Sequence, residues 1–372
     1  MKSQILPKYV MSSALLAMMG AVVGLWLLQM IFAYLGELEN INDAYTLKDA
    51  LLFILYRSPY FLVQFIPTGA LLGAVIGLGL LANHSELIIM RAAGISLYRI
   101  IGWVMLPAFI FVAISLGVNQ FVLPIANQHA AAIKNDTIYD KLITIDGYWS
   151  VQNTDERQDV VYISYADSDG KLGEVRRYQL DHGSLSAALH ADAGNYQGSE
   201  QSASADANGA DSRYTWQLSG IDQVAIDSHQ VRQSHSDLQS LSLPIAPTDV
   251  HLLTREPEDL SVSDLYAHKQ LMKHQGRHSL RHELAFWQKL LSPFAVLSLV
   301  LVASSFVFGS LRSQGLGLRI VLALLTGLLF SYLTDLTGFI ALATGVSPLL
   351  MAFLPIIISS AVGMYLLNQK AK

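Results

Sequence analysis

The chain has 372 residues, 52% of them hydrophobic and 14% charged, with a formal net charge of −5 and a positive mean hydropathy. Apolar residues held in long charge-free runs exclude an ordinary soluble domain. The absence of cysteine excludes a disulfide framework and thiolate metal ligation, and no nucleic-acid partner, metal or cofactor is expected.

The charge-free runs predict six transmembrane helices, at roughly 10–35, 60–82, 98–123, 287–309, 318–340 and 348–367. Each can supply the ~20 residues that cross a hydrocarbon core. The first follows Lys2 and Lys8 and is read as an uncleaved span, because it is long for a signal-peptide core and no small-residue cleavage site precedes a polar start. Gly20 and Gly24 form a small-xxx-small pair in it, and Gly69, Gly73 and Gly77 form a longer stripe in the second span. Such spacing lets helix backbones approach closely in lipid. Pro59, Pro67 and Pro107 are expected to kink or start helices in spans two and three, and Pro293 in span four.

Between spans two and three lies "LANHSELIIMRAAGIS", Leu81 to Ser96, too short and too charged to cross a membrane. Ser85 is a good N-cap, Glu86 suits the positive end of the helix dipole, and Gly94 is a natural stop after "RAA". Ser96 can then cap span three. A separate helix over Glu86–Ala93 is predicted, presenting Glu86, Met90 and Arg91 beside Ala92 and Ala93. It is either an amphipathic connector on the headgroups or a rigid peg for a partner.

Residues 124–262 hold 21 of the 29 acidic residues and 9 of the 24 basic ones. From about 143 to 245 the pattern alternates, in runs such as "GYWSVQ", "DVVYISYA", "GEVRRYQL", "GSLSAALHADAGNY", "YTWQLSGIDQVAI" and "HQVRQSHSDLQSL", separated by turns such as "DSDGK". An all-β sandwich or roll is predicted, with Trp149 and Trp216 as core anchors and a polar low-complexity loop over 197–212. Three domains follow: 1–124, spans one to three with the short helix at 85–94; 125–262, the β domain; and 263–372, a connector with spans four to six.

In the connector, Lys269, Lys273, Arg277 and Arg281 recur every four residues, with His274, His278 and His282 one step along. On one continuous helix each set would form a stripe, although Gly276 weakens that assumption. A solvated basic face and attraction of anionic lipid phosphates are both open. Asp335 with Gly338, Gly345 and Pro348 marks the turn between spans five and six. Lys2, Lys8, Arg91, Arg99, Arg312, Arg319, Lys370 and Lys372 fall on one side of six spans. By the positive-inside rule that side is cytoplasmic, which puts the acidic β domain outside.

"GALLGAVIGLGLLANHSELIIMRAAGIS" resembles the signature of the lipopolysaccharide-export permeases, the LptF/LptG family. So do "SFVFGSLRSQGLGLRI", the spacing of Trp287, Lys289 and Pro293, and the order of three spans, β domain and three spans. The SEL-x-x-M-x-A-x-G core lies closer to the G than to the F subunits. The resemblance implies an α-helical membrane protein with six transmembrane helices plus a periplasmic, jellyroll-like all-β domain between helices 3 and 4, in the inner membrane of a Gram-negative bacterium. It implies a permease subunit of an ABC transporter that extracts lipopolysaccharide, with an LptF-type permease, an LptB-type ATPase dimer, and the LptC membrane helix and periplasmic bridge as partners. Residues 85–94 would be the coupling helix on the ATPase, with Ser85, Glu86, Met90, Arg91 and Gly94 as its contact set. Lys134 would contact lipid phosphates, helped by Lys48 and Arg57, and Gly20 and Gly24 would border the lateral gate and LptC. One departure stands out: relatives carry basic residues just after span one, where this chain has "GELENIND". No phosphate-binding G-x-x-x-x-G-K-[ST] loop occurs in the chain, which fits a permease driven by a separate ATPase. The competing reading is a membrane-anchored scaffold or sensor with no transport role.

Overall fold

The computed structural model describes residues 5–42, 45–138, 148–154, 157–164, 171–199, 214–227, 230–243, 252, 255–274, 278–308 and 315–371. Among these residues six helices are long and apolar enough to cross a membrane: Ile5–Asn40, Leu47–Asn83, Leu97–Lys134, Leu280–Phe308, Leu316–Thr344 and Pro348–Gln369. In chain order the helices are α1 (Ile5–Glu37), α2 (Leu47–Asn83), α3 (Glu86–Ala92) and α4 (Leu97–Gly117). A π turn at Val118–Val122 then leads into α5 (Leu123–Ile138). After the β domain come α6 (Val262–His274), α7 (Leu280–Phe308), α8 (Leu316–Thr344) and α9 (Pro348–Ala371).

α2 outruns its charge-free stretch, because its first turn finds polar partners rather than lipid. α2 begins at a reciprocal capping box, in which the Thr46 hydroxyl accepts from the Asp49 N–H and the Asp49 carboxylate accepts from the Thr46 N–H at 2.9 Å. It then runs unbroken through Pro59 and Pro67, so neither proline starts the helix. Pro107, Pro293 and Pro355 likewise lie inside α4, α7 and α9. Asp335 and Gly338 are not in a turn. α8 passes through both and stops at Gly345, whose φ of +71° suits a residue without Cβ, and Pro348 opens α9.

The chain divides into two compact units, one of Met1–Asp140, Ser261–Lys269 and His278–Lys372, the other of Lys141–Leu260 and Gln270–Arg277. In the helical unit, α2 is the centre: 67% of its apolar window is buried, against 17% for α1 and α8. Its glycine stripe explains how α1 gets so close. A Cβ on Gly69 would stand 2.5 Å from Val22 Cγ2, one on Gly73 would collide with the Met18 backbone, and one on Gly77 would sit 3.0 Å from Ala14 Cα. The backbones therefore touch through glycine, as small-residue packing in lipid requires. Gly20 and Gly24, with the same spacing on α1, face outward with nothing within 4 Å. Gly327 on α8 meets Thr68 of α2, and Gly363 on α9 meets Leu301 and Val302 of α7. Their isolated positions gave no stripe to read. Between α7 and α9, Ser359 Oγ donates to Ser298 Oγ at 2.8 Å.

Among its described residues the second unit forms a seven-stranded antiparallel sheet in the order β1 (Tyr148–Thr154), β2 (Arg157–Ile163), β4 (Val175–Asp181), β5 (Ser184–Ser199), β6 (Tyr214–Asp227), β7 (Gln230–Leu243), with β3 (Lys171–Leu172) paired to β5. Apart from the two-residue β3, strands successive in the chain pair, so tight turns such as Asp181–Ser184 fix the register. Alternate residues Val161 and Ile163, Leu189 and Ala191, and Trp216 and Leu218 line one buried face. Trp216 is an anchor, stacked edge-on against Tyr196. Trp149 is not: its side chain is 47% exposed on β1, against Tyr162. The turn residues 167–170 and most of the low-complexity stretch 197–212 lie outside the described residues.

Candidate functional site

Two ends of the helical unit carry polar chemistry. At one end α2 closes into α3 through Ser85, which has a φ of +61°. In this left-handed conformation its side chain makes no cap; its carbonyl instead accepts from the Ile88 and Ile89 N–H groups, both at 3.1 Å. Ser96 also makes no side-chain cap at the start of α4. Gly94, with φ +85°, ends α3 as the sequence predicts. The Gly94 N–H donates to the Arg91 carbonyl at 3.0 Å and the Ile95 N–H to the Met90 carbonyl at 3.2 Å, a Schellman closure.

The phase of this short helix differs from expectation. Leu87 and Met90 are buried in the core of the helical unit, so Met90 is an anchor and not part of the presented face. Ile88 and Ile89, which the motif had not singled out, are 64% and 65% exposed beside the exposed Arg91. Glu86 is half-buried and accepts from the Tyr9 hydroxyl of α1 at 3.1 Å, with His84 Nδ1 3.9 Å away. Its second oxygen is buried with no hydrogen-bond partner among the described residues. The missed exposure of two isoleucines has a simple cause: two turns are too few to reveal which side a helix buries.

At the opposite end, where α1 finishes and α2 begins, three donors converge on one carboxylate oxygen. Glu37 Oε1 accepts from Lys134 Nζ of α5 at 3.2 Å, the Tyr45 hydroxyl at 3.1 Å and Asn40 Nδ2 at 3.3 Å. Lys134 Nζ also stands 4.4 Å from the centroid of the Phe53 ring. Tyr45 is fully buried, and its phenol pKa is pushed above the usual value, first by burial and then by the Glu37 charge. Arg57 lies over Tyr60 at 4.7 Å, and Tyr56 stacks with His129 at 5.1 Å. In helical projection Arg57 shares the Phe53 face of α2, being four residues on, whereas Lys48 is turned roughly 140° from Phe53. The fold thus brings Lys134 toward the side of α2 that carries Arg57 and sets Lys48, exposed in the first turn, apart from both.

The basic and histidine stripes are not faces of one helix. α6 ends at His274 and α7 begins at Leu280, while residues 275–277, including Gly276 and Arg277, lie outside the described residues. The two helices meet instead. Lys269 pairs with Glu283 at 2.8 Å, and His268 stacks on His282 with centroids 3.7 Å apart and planes 12° apart. His268 is buried, and burial holds its pKa below the ordinary value. Among the described residues no group of three or more His, Cys, Asp or Glu side chains could hold a metal ion.

These features define a membrane permease architecture: six crossing helices, a short capped helix at one end, an ion-paired cradle at the other, and an antiparallel β domain between the third and fourth spans. The chain belongs to the family described as lipopolysaccharide export system permease LptF/LptG, whose profile matches residues 8–369. It is 26% identical over 372 residues to the lipopolysaccharide export system permease protein LptG of Escherichia coli K12, covering 99% of both chains. To the LptG protein of Haemophilus influenzae Rd it is 27% identical over 369 residues, covering 98% of both.

Proposed function

We propose that the chain is a lipopolysaccharide export permease of the inner membrane, driven by an ATPase that is a separate subunit. The observation that carries the reading is α3. It is closed at both ends by backbone hydrogen bonds and anchored by Leu87 and Met90, yet it presents Ile88, Ile89 and Arg91 outward. A rigid helix with an apolar tip on the basic side of the bundle suits an ATPase surface. Burying the part of each isoleucine that is still exposed would contribute about 1–2 kcal/mol. Glu86 and Gly94 shape the two ends of that helix, and Ser85 sets its entry.

In this reading the β domain is periplasmic, and Lys134, with Arg57 on the same side of α2, meets the phosphates of the lipid. An LptF-type permease and an LptC-type membrane helix cover the poorly buried α1 and α8, with Gly20 and Gly24 on the outward side of α1. The test is co-purification with the ATPase, together with lipid export, in Ile88→Asp/Ile89→Asp and in Glu86→Lys. The isoleucine variant is expected to insert normally but to lose the ATPase; Glu86→Lys, which opposes the helix dipole, is expected to lose export. Retention of both activities in both variants would exclude coupling through α3, whereas absence of both ATPase co-purification and export in the unmutated chain would favour the scaffold.

A further inference from the structure

The acidic stretch after α1 occupies the place where a phosphate site would want cations. Glu37 nevertheless receives three donors on one oxygen: an ammonium, a phenol and a carboxamide. Three convergent donors around a single anionic oxygen are the contacts that a phosphate oxygen also seeks. The Glu37 side chain is 10% exposed and that of Lys134 is 29% exposed, so the cation can be reached from solvent while the carboxylate fills the inside of the cradle. Glu37 is also the last residue of α1, where the negative end of the helix dipole disfavours a carboxylate. It is held there by Lys134, and the pair ties the end of α1 to α5.

We infer that Glu37 is a built-in counter-anion, occupying the Lys134–Tyr45–Asn40 cradle until a phosphate monoester of the exported lipid exchanges for it. The inference rests on the reading of Lys134 as a phosphate contact and adds to it the residue that sets when that contact is available. A phosphate monoester outcompetes a carboxylate on elementary grounds: it carries about −1.5 to −2 charge and three acceptor oxygens. Exchange leaves Glu37 without its cation at a helix end that repels it, so the carboxylate swings to water. The tie between α1 and α5 opens at that end, which converts ligand arrival into freedom of the first helix.

The experiment uses the chain purified with its native partner subunits in detergent. Binding is measured for lipopolysaccharide with its lipid A phosphates intact, the same lipid dephosphorylated, and inorganic phosphate at matched concentration. Glu37→Gln is expected to tighten binding of the phosphorylated lipid by about threefold to tenfold, to leave the dephosphorylated lipid unchanged, and to lose its gain when combined with Lys134→Ala. Glu37→Asp, which keeps the charge but draws it back from Lys134, is expected to show a smaller gain and covers the case in which the glutamine variant fails to fold. If Lys134→Ala weakens the phosphorylated lipid in the wild-type background while neither Glu37 variant gains affinity, the pair is only a structural clasp and the exchange is wrong. Should Lys134→Ala change nothing in either background, the phosphate reading of Lys134 falls, and the exchange with it. Equal occupancy by inorganic phosphate would assign the cradle to the free ion and overturn exchange by the lipid.

Discussion

A methyl group on Gly73 would land on the backbone of Met18, whereas one on Gly20 would meet nothing within 4 Å. The two glycines belong to sequence patterns of the same spacing, and only packing separates them. Gly73→Ala is expected to destabilise the helical unit by roughly 1–3 kcal/mol, the usual cost of forcing atoms into a packed core, while Gly20→Ala is close to neutral in the isolated chain. Thermal unfolding of both variants in detergent checks this, and equal melting points would remove the backbone contact between α1 and α2. Residue types were legible where chemistry is local: Gly94 announces a left-handed stop from its neighbours alone. Lys134 shows the limit. Its position predicts a cation near the membrane edge, but its partner Glu37 lies far back in the sequence, in the acidic stretch that the sequence marks only as a departure from its relatives.

At the scale of elements, the corner between α6 and α7 shows what periodicity cannot decide. Cations and histidines every four residues describe one helix well, yet one helix ends at His274, another begins at Leu280, and His268 lies on His282. That stack makes the corner pH-sensitive with a definite sign. Burial depresses the folded-state pKa of His268 below its unfolded value of 6.5, so the unfolded corner takes up the proton first. The stability it contributes is fully present above about pH 6.5 and is lost as pH falls through the depressed folded value. Hydrogen exchange of the α6 and α7 amides, corrected for the intrinsic rate, is expected to accelerate between about pH 7 and about pH 5. His268→Phe keeps the stack and should flatten that dependence. The strands were the most legible elements, because alternation and turn chemistry are short-range signals. Among the described residues only β3, two residues long, escaped.

For the molecule as a whole, charge and apolar length were enough to give the six crossings and the position of the β domain in the chain, since both are dictated by solvent rather than by a particular neighbour. The helix ends were less legible, because α2 and the α4–α5 rod continue into polar sequence. The proposed orientation is open to direct test, as the chain has no cysteine of its own. His84→Cys at the α3 end and Val231→Cys on β7 are both exposed positions. A membrane-impermeant thiol reagent that reaches the periplasm is expected to label position 231 in cells and to spare position 84 until the cells are opened. The reverse pattern would invert the protein in the bilayer.

The π turn at Val118–Val122 has a consequence for how the third span can change over evolutionary time. A turn of this kind amounts to one residue inserted into an α-helix, and one residue is about 100° of rotation. Excising a residue there would restore an unbroken helix and keep its hydropathy, yet everything beyond would be turned by that angle. Lys134 would leave the side of α5 from which it reaches Glu37 and Phe53. The bulge therefore works as a phase setting: between it and Lys134 only changes that preserve the helical phase keep the ammonium where it is.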